Sequence, residues 1–435
     1  MEIRVEQLRN ALEILKPAVP RNPTLPILKN ILVKDGQLMA TTLESMIVID
    51  MPEADESFLL PYAEVLKMLK YVPGYEKLQI HSESGKLTLS WSDGEGTYPV
   101  ENIKGFPIIP ELKIKDEADI NGDAFIPALA SALPYVARDE GRPVLTGITV
   151  QFGRPIEISA GDGFRMAHIV LPFGFPAEYT TVIPAGAIST LIHVMAKTPR
   201  TPPQGEALVD ILTAKRQVHV ALDGKLGMIV RFTPNVKVIV RLVDGSPPAW
   251  LKLIPKDEPI LRVQFFAREM ETAVRRVGDV ASKNKGIVRF EFQAGACRVS
   301  AKADGREVSA KVSALDMLGA PNRIALNQGY LTEYLKEKDS IVTMMWTGGA
   351  APASFHHPSS PNVLIMPMQT SWGDEPAAEQ EKPAADVAAA EESAAAAAGP
   401  EEPEAAAAAA ETAAAAAPEA SAPKPKKGGG KKVKK

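Results

Sequence analysis

The sequence predicts an α+β fold in which one domain plan, two helices packed on antiparallel sheet, occurs three times before a disordered tail rich in Ala, Glu, Pro and Lys. Three observations lead there. Similar small-residue turns occur at Ala40-Thr41-Thr42-Leu43-Glu44, Ser159-Ala160-Gly161-Asp162-Gly163 and Ser300-Ala301-Lys302-Ala303-Asp304-Gly305, separated by 119 and 141 residues. That period is the length of a domain, not of a solenoid repeat. Each turn is preceded by a helix-spaced apolar stripe and a strand, and followed by a second strand, another helix and a hairpin. Finally, the composition changes abruptly after Trp372. The expected units are 1–113, 118–245 and 256–372, with 373–435 as the tail.

In the first unit, Val5, Leu8, Leu12, Leu15 and Val19 recur at spacings of three and four, one apolar helix face, and Pro17 and Pro20 end it. Leu25-Pro26-Ile27-Leu28 leads into a strand through Ile31, Leu32 and Val33, and Asp35-Gly36 is a hairpin signal. Met46 to Met51 is apolar throughout, as a buried strand should be. Tyr62 to Tyr71 reads as a second helix, with Val65, Leu66 and Leu69 inward and Lys67 and Lys70 outward. Ser84-Gly85 joins two more strands.

The second unit repeats the plan. Pro127 suits the first turn of a helix that Pro134 ends. Strands are expected at 144–150 and 156–159, a helix at 187–196 ended by Pro199, and strands at 207–212, 218–222 and 227–232. In the third unit Phe266, Met270, Val274 and Val277 mark a helix, strands follow at 287–292 and 297–301, and Asn327 is a good N-cap for a helix carrying Leu331, Tyr334 and Leu335. Proline-rich connectors, Gly105 to Pro110 and Gly245 to Pro248, separate the units.

Composition bounds the function. At 435 residues and 45% hydrophobic content, the chain can bury sizeable cores. Cys297 is the single cysteine, which excludes a disulfide framework and fits a reducing compartment. The first residues, with Glu2, Arg4, Glu6 and Arg9, lack the apolar core of a signal peptide, and no run of 18 apolar residues suggests a membrane span. Net charge is −4, but residues 1–373 hold 41 acidic and 41 basic side chains, so any nucleic-acid contact must come from local positive surface. The Ala/Glu/Pro tail has too few apolar side chains to offset its ordering entropy. It ends in Lys424, Lys426, Lys427, Lys431, Lys432, Lys434 and Lys435. That cluster reads either as a solubilising end or as a mobile hook for phosphates.

Four tags in order, set in the triplicated plan, resemble one family. Asn22-Pro23-Thr24-Leu25-Pro26-Ile27-Leu28 is similar to the strand entry of the bacterial DNA polymerase III beta subunit, the sliding clamp. Leu145-Thr146-Gly147, Ala160-Gly161-Asp162-Gly163-Phe164-Arg165-Met166-Ala167 and Met366-Pro367-Met368 resemble later clamp segments. The resemblance covers residues 1 to about 372. It implies a head-to-tail homodimeric ring, with helices inside and sheets outside, that encircles double-stranded DNA. Retention is then topological, and weak phosphate contacts without sequence preference suffice.

The resemblance also implies roles for residues. Cations off the apolar stripes would face DNA: Arg9, Lys16, Lys67, Lys70, Lys197, Arg200, Arg268, Arg275, Arg276 and Lys336, with Arg21 and Arg142 at helix exits. A pocket between the second and third units would take short peptides from the DNA polymerase catalytic subunit, the clamp loader and other proteins carrying a clamp-binding motif. Its walls would be Leu145, Gly163, Phe164, Arg165 and Met166, then Pro248 and Leu253, then Asn327, Tyr330, Leu364, Ile365, Met366, Pro367 and Met368. Gly161 stands where clamps usually carry Thr, Phe164 where they carry His, and Gln369-Thr370 where they carry Arg-Leu. Phe106 matches an apolar dimer contact, whose expected partners fall near Gly278 and Asp279. A cytoplasmic, nucleoid-associated protein is implied.

No catalytic constellation emerges. None of the six histidines lies in a metalloprotease-type motif, His356-His357 reads as a surface loop, and no nucleophile elbow or Walker loop occurs. No metal, cofactor or enzymatic activity is expected. Two other readings stay open: a clamp-fold interaction scaffold that does not encircle DNA, and an enzyme with an unrecognised cleft.

Overall fold

The computed structural model describes residues 1–372 except 108–110, 140, 200–215, 225, 294 and 360. Among these residues there are six α-helices: α1 (Val5–Leu15), α2 (Tyr62–Leu69), α3 (Gly122–Ala132), α4 (Ala185–Lys197), α5 (Ala267–Ser282) and α6 (Gln328–Leu335). They pack in sequential pairs, α1 with α2, α3 with α4 and α5 with α6. Every α1 stripe residue from Val5 to Leu15 is fully buried, while Glu6, Asn10 and Lys16 stay outside. Residues 1–370 form one compact unit.

All sheet pairing is antiparallel, and its order reveals the repeat. The described residues form four sheets, and each unit contributes strands to two of them. In the first unit one sheet runs Phe58–Pro61, Asn30–Lys34, Gln37–Thr41, Ser45–Asp50, and the other Glu2–Arg4, Lys77–Glu83, Lys86–Trp91, Gly94–Pro99. The second unit has Tyr179–Pro184, Gly147–Phe152, Ile156–Gly161, Arg165–Leu171, then Asp116–Asn121, Gln217–Leu222, Gly227–Thr233, Val236–Arg241. In the third unit Asn322–Asn327, Ile287–Gln293, Ala296–Ala303 and Arg306–Ser313 form one sheet. Leu261–Phe266, Ile341–Trp346, Ala353–His356 and Asn362–Ile365 form the other, with Asp316–Gly319 added on the Leu261–Phe266 edge.

The sheets cross the expected domain boundaries. Ser45–Asp50 pairs with Val236–Arg241, in register Val48 to Lys237 and Ile47 to Val238. Arg165–Leu171 pairs with Asn362–Ile365, Met166 opposite Leu364 and Ala167 opposite Val363. In both joints the last strand of one unit's first sheet meets the last strand of the next unit's second sheet. Two edges of those same types are left over: Arg306–Ser313 in the third unit and Gly94–Pro99 in the first.

Turn chemistry follows the sequence closely. Asp35-Gly36, Ser84-Gly85 and Asp304-Gly305 all have positive φ at both positions (53° and 72°, 52° and 76°, 49° and 73°). That is the two-residue hairpin geometry whose twist matches the strands. Several expectations shift. Helix α3 starts at Gly122, with the Asn121 Oδ1 accepting from the Ala124 N–H at 3.2 Å, so Pro127 lies inside it and not at its first turn. Pro127 lies in the second turn, and Phe125, Ile126 and Leu129 bury the apolar face. Phe266 ends a strand and is half exposed instead of joining the α5 stripe. The strand expected at 144–150 begins at Gly147, after a 3-10 turn at Pro143–Leu145. The strand expected at 207–212 lies outside the described residues. Among the described residues no helix is long and apolar enough to cross a membrane.

Candidate peptide site and nucleic-acid face

The joint between the second and third units carries an apolar cluster separate from the main core: Leu145, Met166, Trp250 and Leu364, all buried, flanked by Ala137, Val144 and Ile254. The connector between the units runs over the sheet here, and a 3-10 turn at Trp250–Leu253 delivers the indole. Trp250 Nε1 donates to Thr149 Oγ1 at 2.9 Å. The ring packs against Gly161, where a Cβ would come within 2.7 Å of Trp250 Cζ3. Gly161 therefore admits Trp250, a physical reason for the departure from Thr.

Above this floor sits an exposed apolar rim of Phe164 (63%), Leu253 (52%) and Met366 (40%). The Met366 N–H donates to the Phe164 carbonyl at 2.9 Å, so the two rim residues are fixed side by side. The turn that presents Phe164 is built by Asp162, whose Oδ1 accepts the Phe164 and Arg165 N–H groups, both at 3.0 Å. Gly163 takes φ +94° there. Pro248 and Pro367 are half-buried beside the cluster, and Met368 N–H donates to Ala325 O at 2.8 Å.

Arg165 is not a free wall residue. Its Nε donates to Asp162 Oδ2 at 3.0 Å, Nη1 to Glu333 Oε2 at 2.7 Å and Nη2 to the Pro134 carbonyl at 2.8 Å. The guanidinium lies between the rings of Tyr135 (5.0 Å) and Tyr330 (4.7 Å). Burial works against its charge, but Glu333 and Asp162 outweigh burial and raise its pKa. Burial pushes Tyr135 to about 12. Arg165 thus bolts the second unit to α6 of the third. Asn327, expected in the pocket, caps α6, its Oδ1 accepting from Gly329 and Tyr330 N–H at 2.9 and 3.3 Å. Ile365 points into the main core. Leu145, Met166 and Leu364 form the floor.

The cations expected to face DNA divide into several groups. Lys16, Arg21, Lys67, Lys70, Arg268 and Arg276 are exposed. Lys197, Arg275 and Lys336 are exposed but ion-paired, with Glu13 (3.8 Å), Glu271 (2.7 Å) and Glu337 (3.3 Å). Arg9 is a strut: its Nη2 donates to the Leu69 and Val72 carbonyls at 2.6 and 2.9 Å, closing the C-terminus of α2. Arg142 lies beside Gly163, its Nη1 4.0 Å from where a Cβ would stand, next to the turn that presents Phe164. Arg200 and the tail lysines lie outside the described residues.

Phe106 is covered by its own chain, buried with Leu32, Met39, Met46, Val48 and Leu59 on the outer side of the first unit's sheet. It holds the connector there as Trp250 holds the next one. Gly278 is buried where α5 meets Gln328 of α6, and Asp279 is exposed, 3.8 Å from Lys283. Sequence reasoning missed Trp250, Thr149, Tyr135 and Glu333. An aromatic residue inside a proline-rich polar connector was the available signal for Trp250.

No family model matches the chain. Solved structures share its fold: a DNA polymerase III beta subunit from Thermotoga maritima (TM-score 0.73, 21% identity) and a DNA polymerase sliding clamp from Pseudomonas aeruginosa (0.74, 20%), each covering 85% of this chain and 99% of its own. In sequence, the chain is 23% identical over 386 residues to the beta sliding clamp of Synechococcus elongatus, covering 84% of this chain and 98% of the relative. It is 25% identical over 367 residues to that of Streptomyces coelicolor, covering 81% and 93%. These matches run through the joints and the site just described: the chain is similar in sequence to beta sliding clamps and shares the fold of DNA polymerase III beta subunits.

Proposed function

We infer that this chain is a DNA sliding clamp, a processivity factor that holds DNA polymerase and other replication proteins on duplex DNA. The sheet order carries the reading. Two joints between units use the same pair of edge types, and one edge of each type remains unpaired. A second copy, related head to tail, pairs both of these edges at two seams and closes a ring in which every joint between units has the same form. The role is topological and calls for no catalytic group or cofactor.

Exposed cations just after α1 (Lys16), at the end of α2 (Lys67 and Lys70) and on α5 (Arg268 and Arg276) give the helical side local positive charge although residues 1–373 are formally neutral. Partner proteins, the polymerase catalytic subunit and the clamp loader among them, dock a short apolar peptide on the Phe164–Leu253–Met366 rim above Trp250. Loading the chain onto nicked circular DNA and then linearising the circle tests encirclement. Protein that stays on the circle and runs off the linear form supports the ring. Equal retention on both supports a clamp-fold scaffold that binds without encircling.

A further inference from the structure

The loop after α2 displays two aromatic rings that the clamp function does not use. Tyr71 is 90% exposed and Tyr75 77%, the two most exposed large apolar side chains among the described residues. The loop beneath them is braced by hydrogen bonds. Arg9 holds the Leu69 and Val72 carbonyls, Tyr71 N–H donates to Met68 O at 3.0 Å, and Glu76 N–H to Pro73 O at 3.1 Å. From α1, Glu6 N–H donates to Gly74 O at 3.0 Å and Val5 N–H to Glu76 O at 2.9 Å, while Val72 is buried between the two tyrosines. Lys67 and Lys70, on the last turn of α2 and just after it, are exposed and make no ion pair among the described residues.

We propose that Tyr71, Tyr75, Lys67 and Lys70 form a binding site for single-stranded nucleic acid, the unpaired strand beside a duplex held by the clamp. Aromatic faces stack on bases without regard to sequence, and the adjacent ammonium groups take phosphates. In a duplex the base faces are already covered by their neighbours, so exposed rings select the unpaired strand. A braced display also spares the ordering cost that a floppy loop would impose on binding.

The test uses the full-length chain and a (dT)30 oligonucleotide carrying 5-iodouracil. Photocrosslinks should map to Tyr71 or Tyr75, and crosslinks found only elsewhere, for instance in the lysine-rich end, overturn the site. In fluorescence anisotropy, Y71A/Y75A should weaken (dT)30 binding at least about tenfold, while Y71F/Y75F, which keeps both rings, stays within about twofold of wild type. K67A/K70A should lower the salt slope of (dT)30 binding by about 1.4, at roughly 0.7 per lost phosphate contact. Retention on nicked circular duplex reports the clamp function separately and should be unchanged in Y71A/Y75A. An equal loss on duplex and single strand, or an alanine pair that binds (dT)30 like wild type, refutes the proposal.

Discussion

Trp250 and Gly161 form a pair in which each residue explains the other. The indole fills the apolar floor at the joint of the second and third units, bonds Thr149 and rests where any side chain at position 161 would stand. Trp250→Ala should lower stability by about 3–5 kcal/mol through cavity formation, and Trp250→Phe by less, read from denaturant unfolding. Gly161→Ala should displace the ring, seen as a shift in tryptophan emission; an unshifted spectrum would show that the indole has other room. Arg165→Lys should weaken the same joint by about 2–3 kcal/mol, since an ammonium group cannot hold Asp162, Glu333 and Pro134 while stacked between two tyrosines. The Asp-Gly turns and the Asn327 cap were legible in the sequence because their physics is local. Arg165 was not legible as a strut, because its partner Glu333 is 168 residues away and only the fold brings them together.

At the scale of elements, the strand Arg165–Leu171 joins the second unit to the third, and His168 is buried in it opposite Asn362. Ser159 Oγ lies 3.1 Å from His168 Nδ1, and Glu157 Oε2 lies 3.5 Å from Nε2. Burial depresses the His168 pKa below 6.5, and the Glu157 charge offsets only part of that. A histidine kept neutral by folding is protonated more readily in the unfolded chain. Its contribution is therefore complete above pH 6.5 and is lost as pH falls through the depressed value. Thermal unfolding between pH 7 and pH 5 should show wild type losing stability, and His168→Gln should flatten that slope. A variant as pH-sensitive as wild type would assign the effect elsewhere. Helix existence and type were legible here from apolar spacing, as in α1 and α5. The start of α3 was not, because Pro127 satisfies the rule for a first turn while Asn121, six residues earlier, supplies the actual cap. Strands such as Val236–Arg241 carry a clear alternation, but nothing in the alternation names Ser45–Asp50, some 190 residues away, as the partner.

For the molecule as a whole, the repeat predicts the register of the seam as well as its existence. Ile47 pairs with Val238 at one joint and Ala167 with Val363 at the other. Ala40, Ala160 and Ala301 occupy the same place before their turns, and their hairpin partners are Ile47, Ala167 and Val308. Gly94 and Val236 each begin a strand after a two-residue turn, which makes Gly96 the counterpart of Val238. Carried to a second copy, the pattern sets Val308 of the Arg306–Ser313 edge opposite Gly96, and Glu307 opposite Thr97. Val308, an apolar side chain left 37% exposed at a sheet end, would then be covered over a residue that has no side chain to obstruct it. The double variant Thr97→Cys/Glu307→Cys should form an intersubunit disulfide under mild oxidation, giving a species of twice the 46.7-kDa chain on a non-reducing gel. Cys297 does not interfere, because it is buried and its thiol pKa is pushed far above the ordinary range by desolvation. Thr97→Cys/Ser309→Cys, two residues out of register, should crosslink poorly, and each single variant should not crosslink in this way. A wild-type mass equal to one chain by light scattering at micromolar concentration, together with no crosslink in either double variant, would leave the two free edges unexplained and rule out the closed ring.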